Sequence, residues 1–193
     1  MNYSVTHLLA SPGDKQSNQQ LFARREVIPP QDDILWHIER GVVRTLTWNE
    51  HGTTITLGYW GVGDLVGYPF SRVKPYQIEC MTSVEVTLVS SHFWHQDIQA
   101  LVSHIQRTEE LLSIVHQKPT SLRLWKFLIW LSEKFGRNLD KGRLIDLYVT
   151  HQDIAEVLNT TRVTVTRLIQ KFEEEGKLLR HKRSIILCLP NNK

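Results

Sequence analysis

From Ile34 to Val89 apolar and polar positions alternate in short runs broken by glycine, and near residue 91 the period changes. Ile34-Leu35-Trp36-His37-Ile38 leads into a turn at Glu39-Arg40-Gly41. Val42-Val43-Arg44-Thr45-Leu46-Thr47-Trp48 follows, and Asn49-Glu50-His51-Gly52 turns into Thr53 to Trp60. Runs this rich in β-branched and aromatic side chains, about a hairpin apart, predict a compact antiparallel sandwich or barrel. Gly61, Gly63 and Gly67 mark further corners, and Ile78 to Val89 alternates as a closing strand. The first thirty-odd residues carry no readable period.

From His92 to Gln117 there is neither proline nor glycine, and Leu101, Ile105, Thr108, Leu112 and Val115 step by four and three. That narrow stripe predicts a helix with a seam of about two heptads, suited to a second copy of the chain. A helix lying on its own domain's core is the plainer alternative. Pro119 with Thr120 and Ser121 predicts a break and a restart under a hydroxyl cap. Leu122 to Phe135 reads as an apolar helix carrying Leu124, Phe127, Leu128 and Leu131, stopped by Gly136. A strand over Leu144 to Val149, two helices around a tight turn, and a hairpin of Leu178–Arg180 with Ile185–Leu189 complete the pattern. The chain is therefore α+β: a β domain over 1–91, a helix over 92–118, and a winged helix-turn-helix over 119–193.

Composition narrows the function classes. The chain has 193 residues, 41% hydrophobic and 22% charged, which argues against wholesale disorder. Two cysteines cannot build a disulfide framework, and no run reaches the ~18–20 apolar residues that span a bilayer. The polar N-terminus lacks the order of a signal peptide, so a cytoplasmic protein with no membrane partner is expected. Net charge is +3, but its distribution is uneven. Residues 1–119 hold nine Lys and Arg against twelve Asp and Glu, whereas residues 120–193 hold fourteen against eight. A basic final third points towards a polyanion.

The segment Thr150 to Phe172 carries the most chemistry. Thr150 with Asp153 is a shortened capping box, and Ile154, Val157 and Leu158 give the first helix its apolar face. Small Ala155 permits close approach, Asn159-Thr160 makes the turn, and Thr161 caps the second helix. Val165, Leu168, Ile169 and Phe172 face inward, leaving Arg162, Val163, Thr166 and Arg167 on the outer, early face. A recognition helix docked in a major groove needs this distribution. Arg162 and Arg167 can each bond O6 and N7 of a guanine, and Val163 suits a thymine methyl. Thr161, Thr164, Thr166, Gln152, His151 and the wing-turn pair Lys182 and Arg183 can reach phosphates. A solvated helix face is the competing reading of any one of these residues.

On these residues the chain resembles the CRP/FNR superfamily of bacterial transcription regulators across nearly its whole length. Leu35–Gly41, Gly52, Gly63-Asp64-Leu65-Val66-Gly67 and Glu85-Val86 look like its cyclic-nucleotide-binding-type β-roll. Thr160-Thr161-Arg162-Val163-Thr164-Val165-Thr166-Arg167-Leu168, with Arg123-Leu124, Phe127-Leu128 and Phe135-Gly136, is similar to the cyanobacterial global nitrogen regulator branch. The resemblance implies a homodimer, activator or repressor, that binds double-stranded DNA and works with RNA polymerase. Valine at 163, where the superfamily commonly has glutamate, implies a palindrome with GTA-like half-sites.

The resemblance also frames an effector question. Cyclic-AMP-binding members carry a glutamate and an Arg-Ser pair where this chain has Tyr68-Pro69 after Gly67, and Lys74-Pro75. Tyrosine cannot accept ribose hydroxyls as a carboxylate does, which argues against cyclic AMP. The nitrogen-regulator branch implies 2-oxoglutarate or another small anion, at positions that here read Gly67, Tyr68, Lys74, His104 and Glu109. Lysine lacks the bidentate fork and histidine is mostly neutral, so such a grip would be weakened. Two isolated cysteines cannot hold an iron–sulfur cluster, His92 and His95 stand three apart but without neighbouring cysteines or clustered carboxylates to complete a metal site, and no catalytic constellation is evident. The rival reading is a small-molecule-binding β-roll protein whose C-terminal domain contacts protein rather than DNA.

Overall fold

The alternating runs fold into two facing four-stranded antiparallel sheets. A computed structural model describes residues 19–181 and 184–188. Its first eight strands are β1 (Gln19–Phe22), β2 (Val27–Ile28), β3 (Ile34–Arg40), β4 (Val43–Trp48), β5 (Thr54–Trp60), β6 (Leu65–Val66), β7 (Gln77–Cys80) and β8 (Val84–Ser90). One sheet runs β1-β8-β3-β6 and the other β2-β7-β4-β5. Between them lie Ile28, Trp36, Ile38, Val43, Trp60, Ile78, Val84 and Val86. The Trp60 indole N–H donates to the Thr45 hydroxyl at 3.1 Å, so this ring is buried with its polar edge satisfied.

Two expectations change here. The single strand from Ile78 to Val89 is two strands in different sheets, because a sandwich needs the chain to cross at its rim. The crossing at Met81–Ser83 is held by Met81 N–H donating to Val42 O at 2.8 Å and Val42 N–H donating to the Thr82 hydroxyl at 2.9 Å. Gly41, at φ 90°, faces this crossing so closely that a Cβ would sit 2.3 Å from Ser83 O. The early region also contains β1 and β2, whose four and two residues are too short to show a period.

The helix expected from residue 92 opens as a 3₁₀ segment, Ser91–Asp97, and becomes α1 only at Ile98–Val115. Its seam residues divide: Ile105 and Leu112 are 60% and 55% exposed, Thr108 is exposed, and Leu101 and Val115 are half-buried. Ile98, 62% exposed, extends the same stripe one heptad earlier. The inner face carries buried Leu111 and Ile114. α1 is tied to the sheets by the Arg107–Asp64 ion pair and by His104, whose ring stacks on Trp60 at 3.9 Å and 3°.

The break before α2 (Thr120–Phe135) is present, but the hydroxyl cap is not. Pro119 is the N-cap, and Thr120, already inside the first turn, instead accepts from Arg123 Nη2 at 3.0 Å. After α2 come β9 (Gly136–Leu139), β10 (Gly142–Ile145), α3 (His151–Leu158), α4 (Arg162–Glu174), β11 (Leu178–His181) and β12 (Ser184–Leu187), with sheet order β11-β12-β10-β9. β9 has no mark in the sequence because Gly136-Arg137-Asn138-Leu139 has a single apolar side chain and no alternation; pairing with β10 supplies its order. The strand expected to reach Val149 stops at Ile145, where the chain leaves the sheet for α3.

One core unites these parts. Leu111 and Ile114 of α1 join Leu124, Phe127, Leu128 and Leu131 of α2, Ile154, Val157 and Leu158 of α3, and Val165, Ile169 and Phe172 of α4. Tyr59 and Met81 of the β domain belong to the same cluster. Among the described residues no helix is long and apolar enough to cross a membrane.

Candidate nucleic-acid interface

The two short helices are built as the chain pattern requires. The Thr150 hydroxyl accepts from Asp153 N–H at 3.0 Å while Thr150 N–H donates to the Asp153 carboxylate at 2.7 Å, a complete capping box. α3 ends at Asn159 in the left-handed region, φ 47°, where asparagine is tolerated better than most residues. Thr160 N–H then donates to Ala155 O at 3.1 Å, closing the turn. Thr161 caps α4 by accepting from Thr164 N–H at 3.1 Å. Val165, Leu168, Ile169 and Phe172 are buried, so the rotation of α4 is fixed.

That rotation puts Arg162, Val163, Thr166 and Arg167 outside, all exposed. Val163 is 76% exposed, the highest value for a large hydrophobic side chain among the described residues. Val163 thus presents an apolar tip to solvent beside Arg162 at the start of a cationic helix face.

Beside this face runs a groove of about 490 Å³ lined by Tyr148 to Gln152, Arg162, Arg180, Ser184 and Ile185. Its floor is ordered by hydrogen bonds. The Thr166 hydroxyl donates to Arg162 O at 2.9 Å, so it accepts from His151 Nδ1 at 2.8 Å. Burial, with Arg180 and Arg162 nearby, pushes His151 below the ordinary histidine range, keeping it a neutral donor. Arg180 is steadied by Glu173, with Nε donating at 2.7 Å. The groove thus lies between the recognition helix and the wing, cationic on both sides.

Of the expected phosphate contacts, Gln152 is exposed on α3, His151 and Thr166 are joined to each other, and the Thr161 and Thr164 hydroxyls bond at 2.9 Å. Lys182 and Arg183 lie outside the described residues. Two arginines escape a reading of the sequence. Arg180, on a wing strand, sits in a run, Leu178 to His181, that shows only a strand pattern. Arg44, between Val43 and Thr45 on β4, takes the strand face opposite theirs, towards α3, and no local pattern flags it.

The positions expected to hold an anion have other uses. The Gly67 backbone packs against Ile34 O and Leu35, and the Tyr68 hydroxyl donates to Tyr76 O at 2.7 Å. His104 is spent on Trp60, on Phe70 at 4.4 Å between ring centroids, and on Leu65 O at 3.1 Å. Burial lowers its pKa, so it is not the cation an anionic ligand would want. Lys74 and Glu109 are exposed.

Known proteins agree with the geometry. A Crp-like helix-turn-helix domain matches residues 122–191. The regulatory protein CysR of Synechococcus elongatus is 40% identical over 183 residues, 93% of this chain and 88% of its own length. The global nitrogen regulator of the same organism is 38% identical over 93 residues, 48% of this chain and 42% of its own. Among solved structures, a CRP-family transcriptional regulator from Thermus thermophilus superposes with a TM-score of 0.76 at 22% identity, covering 88% of this chain and 92% of its own. A cyclic nucleotide-binding domain containing protein from Listeria monocytogenes gives 0.76 at 15% identity, over 87% of each chain. With a relative this similar along nearly its whole length, the chain belongs to the CRP/FNR family of transcriptional regulators.

Proposed function

We propose that the chain binds, as a homodimer, an inverted-repeat DNA site with GTA-like half-sites, α4 entering the major groove. The carrying observation is the outer face of α4: Arg162, Val163, Thr166 and Arg167 exposed together on a helix whose other side is locked in the core. Arg162 reads a guanine through its two-pronged fork, and Val163 packs on a thymine methyl of the same half-site. His151, Gln152 and Arg180 line the phosphate path and set register rather than sequence. The exposed stripe Ile98, Ile105, Leu112 supports pairing of two α1 helices, which would present two recognition helices to two half-sites.

Selection of bound sequences from random duplexes tests this reading. The expected outcome is an inverted repeat whose guanine preference vanishes in Arg162→Ala, with affinity falling steeply as salt rises. Sequences without symmetry, or binding indifferent to Arg162, would overturn it. The rival, a C-terminal domain serving protein contact, predicts no binding to any duplex in this selection.

A further inference from the structure

At the junction of the β domain with α3 lies a cluster of five charged side chains that the reading of DNA does not use. Arg44 of β4 is buried. Its Nε donates to Glu79 Oε2 of β7 at 2.6 Å, and its Nη1 lies 3.1 Å from Asp153 Oδ1 and 3.0 Å from Glu156 Oε2, both on α3. Arg25, just before β2, adds a contact to Glu79 at 2.8 Å and one to Asp153 at 3.8 Å. Its backbone is left-handed at φ 72°, an uncommon state for a non-glycine residue. Its neighbour Arg24 lies over the Tyr148 ring at 5.1 Å. Two arginines and a strand pair of the β domain therefore converge on the first turns of α3.

Arg44 is the only side chain in this cluster that touches carboxylates on both sides of the junction from a buried position. Taking it out of water is tolerable only because three carboxylates surround it, and it is the buried cation that all three share. Without it, the half-exposed Arg25 alone would be left to balance Glu79 and Asp153, and Glu156 would lose its arginine partner. Two of them, on the helix bordering the groove, would also repel phosphate. The cluster leaves the outer face of α4 open, so the docked arrangement is compatible with base reading.

We propose that Arg44 is a positioning residue for DNA recognition: by pairing Asp153 and Glu156 with Glu79, it braces α3 against the β domain and fixes where α4 stands relative to α1. This rests on the DNA reading above. A single half-site needs only a folded helix-turn-helix, whereas an inverted repeat needs two recognition helices at one set spacing. Loss of the brace should therefore spare the first and weaken the second.

The test uses the full chain, an inverted-repeat duplex, a single half-site duplex and scrambled DNA. Arg44→Gln should lose about ten-fold affinity for the inverted repeat while staying within about two-fold on the half-site. Amide exchange over 149–158 in the free protein should quicken. Arg44→Lys should recover part of the loss, since a point charge cannot serve three carboxylates as a fork does. Should Arg44→Gln fail to fold, Glu156→Gln removes one arm only and should show the same pattern at smaller size. Unchanged affinity for the inverted repeat, or tighter binding, overturns the brace. A wild-type chain that does not prefer its site to scrambled DNA overturns the DNA reading and the brace together.

Discussion

α4 and α1 each turn one face to water, and the two faces are unlike. In the first two turns of α4 the exposed groups are two arginines, a threonine and a single valine. On α1 an apolar stripe, Ile98, Ile105 and Leu112 in heptad steps, stands exposed among polar neighbours. Each helix buries its other side in the same core, through Val165 and Ile169 in one case and Leu111 and Ile114 in the other. What differs is what the outer face lacks. Ile98, Ile105 and Leu112 lack apolar contact, which an identical stripe can supply; the arginines lack acceptors, which only a polar partner can supply. Exposure alone does not reveal a partner, but the chemistry left unmet does.

The sharpest way to break that contrast is to put a charge in the apolar stripe. Ile105→Glu should leave a folded monomer by sedimentation and cost about 100-fold in affinity for an inverted repeat, since two linked half-sites become two separate ones. Next in size, Arg162→Ala should cost ~1–3 kcal/mol of binding and flatten discrimination at one base pair, read by fluorescence anisotropy against a panel of substituted sites. Thr161→Ala should lower global stability by ~1 kcal/mol in urea unfolding, because α4 loses its cap. The smallest effect concerns pH. Burial lowers His104 below its ordinary value of 6.5, so between that value and its folded one the unfolded chain binds the proton more readily. Stability should therefore decline as pH falls below about 6.5, and His104→Phe should make the decline shallower.

The same contrast explains what can be read from sequence. The α4 face is legible residue by residue because cap, turn and apolar spacing are local: Thr150 with Asp153 starts α3, and Thr161 with Val165 starts and orients α4. The α1 stripe is legible as a stripe, though its 3₁₀ opening at Ser91–Asp97 is not, since nothing in that run breaks an α pattern. β9 stays hidden because its order comes from β10, and the split of β7 from β8 because alternation continues through a sheet change. His104 looks like a surface or ligand residue; its stacking on Trp60 joins positions 44 residues apart and leaves no local mark. Arg44 shows the same blindness in stronger form, with partners on β7 and α3.

The shared core and the Arg44 cluster bear on how far this chain can be treated as interchangeable parts. A recognition half grafted from another regulator would have to bring an acidic pair at the positions of Asp153 and Glu156, or Arg44 would be left buried beside Glu79 with its remaining prongs unmet. It would also have to close over Tyr59 and Met81. Chimaeras that keep this chain's β domain but change those two α3 positions are expected to express poorly even when the grafted recognition helix is sound. Reassigning the DNA specificity is therefore better done by exchanging the outer face of α4 alone, at 162, 163, 166 and 167, where no side chain reaches across the seam.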